Sequence, residues 1–177
     1  MTTDEDLAIV LRHENGDAKA FDELVKRHEA PLRRLVLRYV KNEEDAKDVT
    51  QQAFVRSFEK LASFRRDSTF KTWLYRIAIN LALNHLRGLP KEQEVPFTDV
   101  PTFTTSLATS KLVAAEVWRK VSSRLESLPP MQRLAVELRL FHDLSFREVA
   151  VIADSSEDSA KANFHHGVKA LRELLPR

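Results

Sequence analysis

Apolar residues recur at three- and four-residue steps through most of this chain, a period that suits helices and leaves little room for strands. Only three glycines occur among 177 residues, too few for a fold that depends on many tight corners. Leu, Ala, Arg and Glu are abundant, and all favour helix. With 43% of residues hydrophobic, a packed core is available. The expected class is all-α.

The period fails at Gly88-Leu89-Pro90. Residues 89–105 carry three prolines and four threonines with no helical repeat. This predicts two small helical domains, 1–88 and 111–177, joined by a flexible linker over 89–110. At about 3.3 Å per residue, roughly 20 linker residues reach up to ~65 Å.

Four helices are expected in the first domain. The first, Asp4 to His13, turns Leu7, Val10 and Leu11 to one side and stops at Gly16. Asp17 caps the second, whose stripe is Phe21, Leu24, Val25, His28, Leu32, Leu35, Val36 and Tyr39, with a kink or break at Pro31. Asn42 opens the third, to about residue 62, with Ala46, Val49, Ala53, Phe54, Phe58 and Leu61 inward. After a short basic loop, Ser63 to Asp67, Ser68 or Thr69 caps a fourth helix running to Arg87. In the second domain helical spacing resumes near Ser106 and includes Leu112, Val113, Val117, Val121 and Leu125. It breaks at Leu128-Pro129-Pro130, and three helices follow at about 130–141, 146–153 and 157–175, the middle one opened by a Ser145…Glu148 capping box.

Charge narrows the partner classes. The net charge is only +2, yet residues 65–91 hold six basic residues against Asp67 alone, while residues 1–64 are slightly acidic. That predicts one local polyanion site. Cysteine is absent, which excludes disulfides and thiolate metal sites. The acidic start has no signal-peptide pattern, and no apolar run approaches the ~20 residues of a membrane span, so a cytoplasmic protein is expected.

Two constellations carry the functional reading. A two-turn helix, the polar turn Asp154-Ser155-Ser156 and a longer helix have helix-turn-helix spacing, which lays the second helix in the DNA major groove. There Ala160, Phe164, Val168 and Leu171 point inward, leaving Ser156, Ser159, Lys161, Asn163, His166 and Lys169 for base edges and phosphates. A three-helix interaction bundle has the same spacing. The second constellation runs from Arg65 and Arg66 through Lys71 and Trp73 to a polar stripe of Arg76, Asn80, Asn84 and Arg87, beside the apolar face Phe70, Trp73, Leu74, Ile77, Ala78 and Leu81. Basic and amide groups beside aromatics suit a nucleic-acid strand; a solvated face over a packed Trp73 is the alternative. The third helix shows a mixed polar face of Asp45, Asp48, Gln51, Gln52 and Arg56, from which spacing alone reads no interface. Neither a phosphate loop, a paired-histidine metal motif nor a nucleophile elbow occurs, so no enzyme, metal, cofactor or small-molecule substrate is expected.

Together these segments resemble the extracytoplasmic-function group of the sigma-70 family. Asp45-Ala-Lys-Asp-Val-Thr-Gln-Gln-Ala-Phe54 is similar to its polymerase-docking helix, and the run from Phe70 to Arg87, with Phe-Lys-Thr-Trp-Leu-Tyr-Arg-Ile-Ala at its head, to its minus-ten signature. Leu128 to Arg133, Leu144 to Ala150, Ser159 to Lys161 and Leu171 to Leu175 resemble its minus-thirty-five domain. The resemblance implies a sigma factor that binds core RNA polymerase through Asp45, Asp48, Gln51, Gln52 and Phe54, opens promoter DNA, and answers to an anti-sigma factor. Gln52, Asp154, Asn163, His166 and Val168 depart from the family's usual residues. A stand-alone helix-turn-helix regulator and an RNA-binding or adaptor protein are the rival readings.

Overall fold

The structure is a computed structural model that describes residues 3–88 and 123–173. These fall in two units, one within residues 1–95 and one within 96–177. Among the described residues all regular structure is helical. The helical spacing expected from Ser106 through Val121, like the linker, lies outside them.

The first unit holds α1 (Thr3–Glu14), α2 (Ala20–Val40), α3 (Glu43–Glu59), a 3₁₀ turn (Leu61–Ser63) and α4 (Phe70–Arg87). Helices α2, α3 and α4 pack on one another, and α1 lies against α2 and α4. The joints follow from local chemistry. Asn42 Oδ1 accepts from the N–H groups of Glu44 and Asp45 at 2.8 and 3.1 Å, and Thr69 Oγ1 accepts from the Thr72 N–H at 3.0 Å, so both helices start where their caps stand. Asp17 acts one step early: its side chain takes the Lys19 N–H at 3.1 Å, and α2 begins at Ala20.

Pro31 does not break α2, contrary to the local rule. An interior proline costs about 3 kcal/mol. Leu24, Leu32, Leu35 and Val36, on both sides of it, are fully buried, and each such side chain is worth about 1.5–3 kcal/mol. One continuous stripe outweighs one missing hydrogen bond.

Three side-chain expectations need correction. In α1 the buried positions are Asp6, Ile9 and Val10, while Leu7 is half-buried and Leu11 exposed. Phe58 is 51% exposed rather than internal, because α3 is ending there; the rings of Phe21 and His13 meet it at centroid distances of 5.1 and 5.3 Å. Val25 is half-buried at the edge of the α2 stripe.

An unexpected polar cluster pins α1 down. His28 Nε2 lies 2.7 Å from Asp6 Oδ2, Arg27 Nη1 donates to Asp6 Oδ1 at 3.1 Å, and Arg27 also meets Glu5 at 2.8 Å. Asp6 and His28 are 2% and 4% exposed. The His28 ring in turn packs 5.8 Å from Phe70, the first residue of α4.

The second unit comprises α5 (Pro130–Phe141), α6 (Phe146–Ile152) and α7 (Glu157–Glu173), after helical residues 123–126. Pro130 stands at the start of α5, where its missing N–H costs nothing. Leu125, Leu128 and Val136 form one core cluster, and Phe164, Val168 and Leu171 of α7 close over it, as their spacing predicts. The Ser145–Glu148 capping box is complete.

Candidate nucleic-acid interface

In the second unit α6 and α7 are joined by a tight turn closed by the Ser155 N–H on the Ala150 carbonyl at 2.9 Å. Asp154 takes φ +49, a left-handed conformation in which aspartate is one of the few tolerated side chains. Ser156 then caps α7, its Oγ accepting the Ser159 N–H at 3.1 Å and donating to Ser159 Oγ at 2.9 Å. Ser156 is therefore first a capping residue, and its hydroxyl reaches solvent already engaged. Ser159, His166 and Lys169 are exposed, and Lys161 and Asn163 are half-buried.

Lys161 is less free than its spacing suggested. Its Nζ sits 3.0 Å from Glu157 and 4.0 Å from Asp158, and the Glu157 bond raises its pKa. An exposed pair of this kind contributes little, so a phosphate can displace it. Below the turn, Arg139 ties the motif together. It donates to the Leu144 carbonyl at 2.5 Å and lies 4.7 Å over the Phe146 ring, which meets Phe164 of α7 edge-on at 5.5 Å.

In the first unit Trp73 is half-buried, stacked 5.1 Å from Phe64 and 6.0 Å from Phe70. It is both a packing residue and an aromatic surface. Arg65 and Arg66 are exposed on the loop, and Arg76, Asn80 and Arg87 are half-buried along α4 with Lys71. Asn84 leaves the expected stripe: it is 1% exposed and belongs to the interior. Steps of four residues advance about 40° each on a helix, so Asn84 has rotated about 80° from Arg76, whereas Arg87 returns to within about 20°. Tyr75 is fully buried in α4, and that burial pushes its phenol pKa up.

On α3, Asp48 and Gln51 are exposed and Asp45, Gln52 and Arg56 half-buried. Asp45 Oδ2 lies 3.4 Å from His85 Nε2 of α4. Phe54 points inward at 6% exposure, so it supports the face from beneath and offers little surface of its own.

Residue spacing does not signal the buried anchor at Asp6, the tie made by Arg139, or the buried glycine of α7, Gly167, at which a Cβ would meet α5. An acid at the i−3 and i−4 positions to Ile9 and Val10 was one available signal, and a glycine inside a strong helical period was another.

A family model described as Sigma-70 region 2 matches residues 24–90, and one described as Sigma-70, region 4 matches residues 118–171. The RNA polymerase sigma-H factor of Pseudomonas aeruginosa is 32% identical, over 99% of this chain and 96% of its own length. The ECF RNA polymerase sigma-E factor of Escherichia coli K12 is 36% identical, over 94% and 92%. Among solved structures, CnrH in complex with the cytosolic domain of CnrY has a TM-score of 0.71 at 23% identity, covering 96% of each chain. The sigma factor RpoE of Bartonella quintana, in complex with the anti-sigma factor NepR, has the same score and identity over 88% of this chain and 96% of that one. The two structural likenesses speak to fold.

Proposed function

This chain belongs to the extracytoplasmic-function group of the sigma-70 family, and from that membership we infer that it binds core RNA polymerase and directs promoter-specific transcription initiation. The observation that carries the reading is the presence, in one chain, of a capped helix-turn-helix and a separate loop-and-helix surface of basic and aromatic residues. A stand-alone regulator has use for the first and none for the second.

In our reading the exposed α3 face, with Asp48 and Gln51 at its centre and Asp45 and Gln52 beside them, docks on polymerase. Ser159, Lys161, Asn163, His166 and Lys169 of α7 read duplex at the minus-thirty-five element. Arg65, Arg66, Lys71, Trp73, Arg76, Asn80 and Arg87 hold the opened minus-ten strand, where base stacking and Arg contacts of about 1–3 kcal/mol each offset the few kcal/mol lost on unstacking. The polymerase makes the bonds, and this chain supplies position. Work in the cytoplasm follows from that role; among the described residues no helix is long and apolar enough to cross a membrane. An anti-sigma protein is the regulator we expect.

Two measurements test the assignment. Asp48→Lys is expected to reduce recovery of the chain with core polymerase at least tenfold, since it reverses charge on an exposed position without touching the core. Recovery at the parental level would remove α3 as the docking helix. Replacing Lys161 and Asn163 by Ala is expected to erase the upstream footprint of the reconstituted holoenzyme; an intact footprint would dismiss the groove assignment for α7.

A further inference from the structure

The loop before α4 is locked by a residue far from it in sequence. Arg66 Nη2 donates to Glu14 Oε2 at 2.5 Å, a bond that spans 52 residues and joins the last turn of α1 to the loop. Arg66 also has φ +61, in the left-handed region, which is strained for a residue with a Cβ. Glycine would take this conformation without penalty. The chain instead carries a strained arginine and provides an acid to meet it. Strain of this kind persists where the surroundings over-determine it, commonly at functional sites.

We propose that Glu14 is a positioning residue for minus-ten recognition: it clamps Arg66 so that the loop is set before DNA arrives. This rests on the reading of the loop and α4 as the strand-holding surface. The geometry fits a clamp better than a mask. Only Nη2 of Arg66 is engaged among the described residues, so Nη1 and Nε remain available to a phosphate or a base edge. Both side chains keep access to solvent, at 44% for Arg66 and 34% for Glu14. The neighbouring Arg12 does not compete for Glu14, because it is held by Asp17 at 2.6 Å and Glu23 at 3.1 Å. Helix α1 is itself anchored through Asp6 to His28 and Arg27, so the clamp pulls against a fixed point. The Trp73 ring packs 5.1 Å from Phe64 at the start of the loop, which puts the loop beside the aromatic surface. An exposed ion pair contributes little to global stability. It can still bias one loop, where each 1.4 kcal/mol is a factor of ten in population.

The test uses holoenzyme reconstituted from core polymerase and the full chain. A random single-stranded DNA pool is selected on it, and a fluorescent oligonucleotide of the winning sequence is compared with its scramble. Glu14→Gln is expected to lower the ratio of the two affinities three- to tenfold, with recovery on core polymerase unchanged. Amide exchange at residues 65–67 should quicken in the variant. Raising salt should erode the ratio more steeply in the parent than in Glu14→Gln, because only the parent has a pair to screen. Arg76→Ala with Asn80→Ala serves as the control for the underlying reading. If the control loses selective binding and Glu14→Gln does not, the clamp is refuted alone. If Glu14→Gln binds the selected strand more tightly, Glu14 is a mask and the proposal falls. If neither changes the ratio, the strand-holding surface itself is wrong.

Discussion

Asp6→Ala is expected to remove about 3 kcal/mol from the first unit. The carboxylate is almost wholly buried and takes two partners, His28 Nε2 at 2.7 Å and Arg27 Nη1 at 3.1 Å. Deleting it leaves the buried imidazole without its acceptor, and breaking one side of such a network costs 2–5 kcal/mol, more than the net worth of the bonds themselves. Arg27 is less affected, since it retains Glu5. Asp6→Asn keeps an acceptor of the same shape and is expected to lose about half as much. Asp6→Ala combined with His28→Leu should be milder than the two losses added, because no buried polar group is then stranded. In a unit of this size 3 kcal/mol corresponds to a fall in melting temperature of roughly 10–20 °C. Amide exchange along α2 and α4 of the full chain reports on this unit by itself. A loss below 1 kcal/mol for Asp6→Ala would mean that solvent already reaches the pair. The variant also bears on promoter opening, because α1 carries Glu14 and cannot hold Arg66 once its own anchor is gone.

What the sequence made legible was local. Asn42, Thr69 and Ser145 are caps whose hydrogen bonds close within three residues, and the helices begin beside them. The second unit's three helices begin at their expected residues, Pro130, Phe146 and Glu157. What stayed hidden depended on distance or on rotation. Pro31 is a local stop signal overruled by the burial of four aliphatic side chains elsewhere on α2. Asn84 was placed on a stripe by counting residues, and the accumulated rotation of α4 carried it into the interior. Ser156 had the right chemistry for DNA and is used, first, to start α7. Glu14 and Arg66 form a pair that no window of residues contains. The resemblance to the sigma-70 family names surfaces only as regions, and which of their side chains reach solvent follows from packing.

The close approach of α7 to α5 supplies the other large effect. Gly167 is buried in the middle of α7, where a Cβ would lie 2.7 Å from Val136 Cγ2 and 3.2 Å from the Gln132 carbonyl oxygen of α5. Val136 is fully buried against Leu125 and Leu128 and cannot retreat. Gly167→Ala gains about 1 kcal/mol in helix propensity. Overpacking a closed core costs about 1–3 kcal/mol, and Gly167→Val adds two further methyl groups to the same gap. Net destabilisation is therefore expected, small for Ala and about 3 kcal/mol for Val. Relief by separation would rotate or lift α7, moving Ser159, Asn163 and His166 relative to α6. Specific duplex binding should thus weaken more than tenfold in Gly167→Val, while recovery on core polymerase, which we assign to α3, stays at the parental level. Val136→Ala removes the opposing methyl. Combined with Gly167→Ala, it should be more stable than the sum of the two single losses by at least about 1 kcal/mol, since the new Cβ occupies the space that Val136 vacates. Strictly additive losses would mean that α7 slides freely on α5, and the register of its reading face would then have to be set at the Ser145–Ser156 end alone.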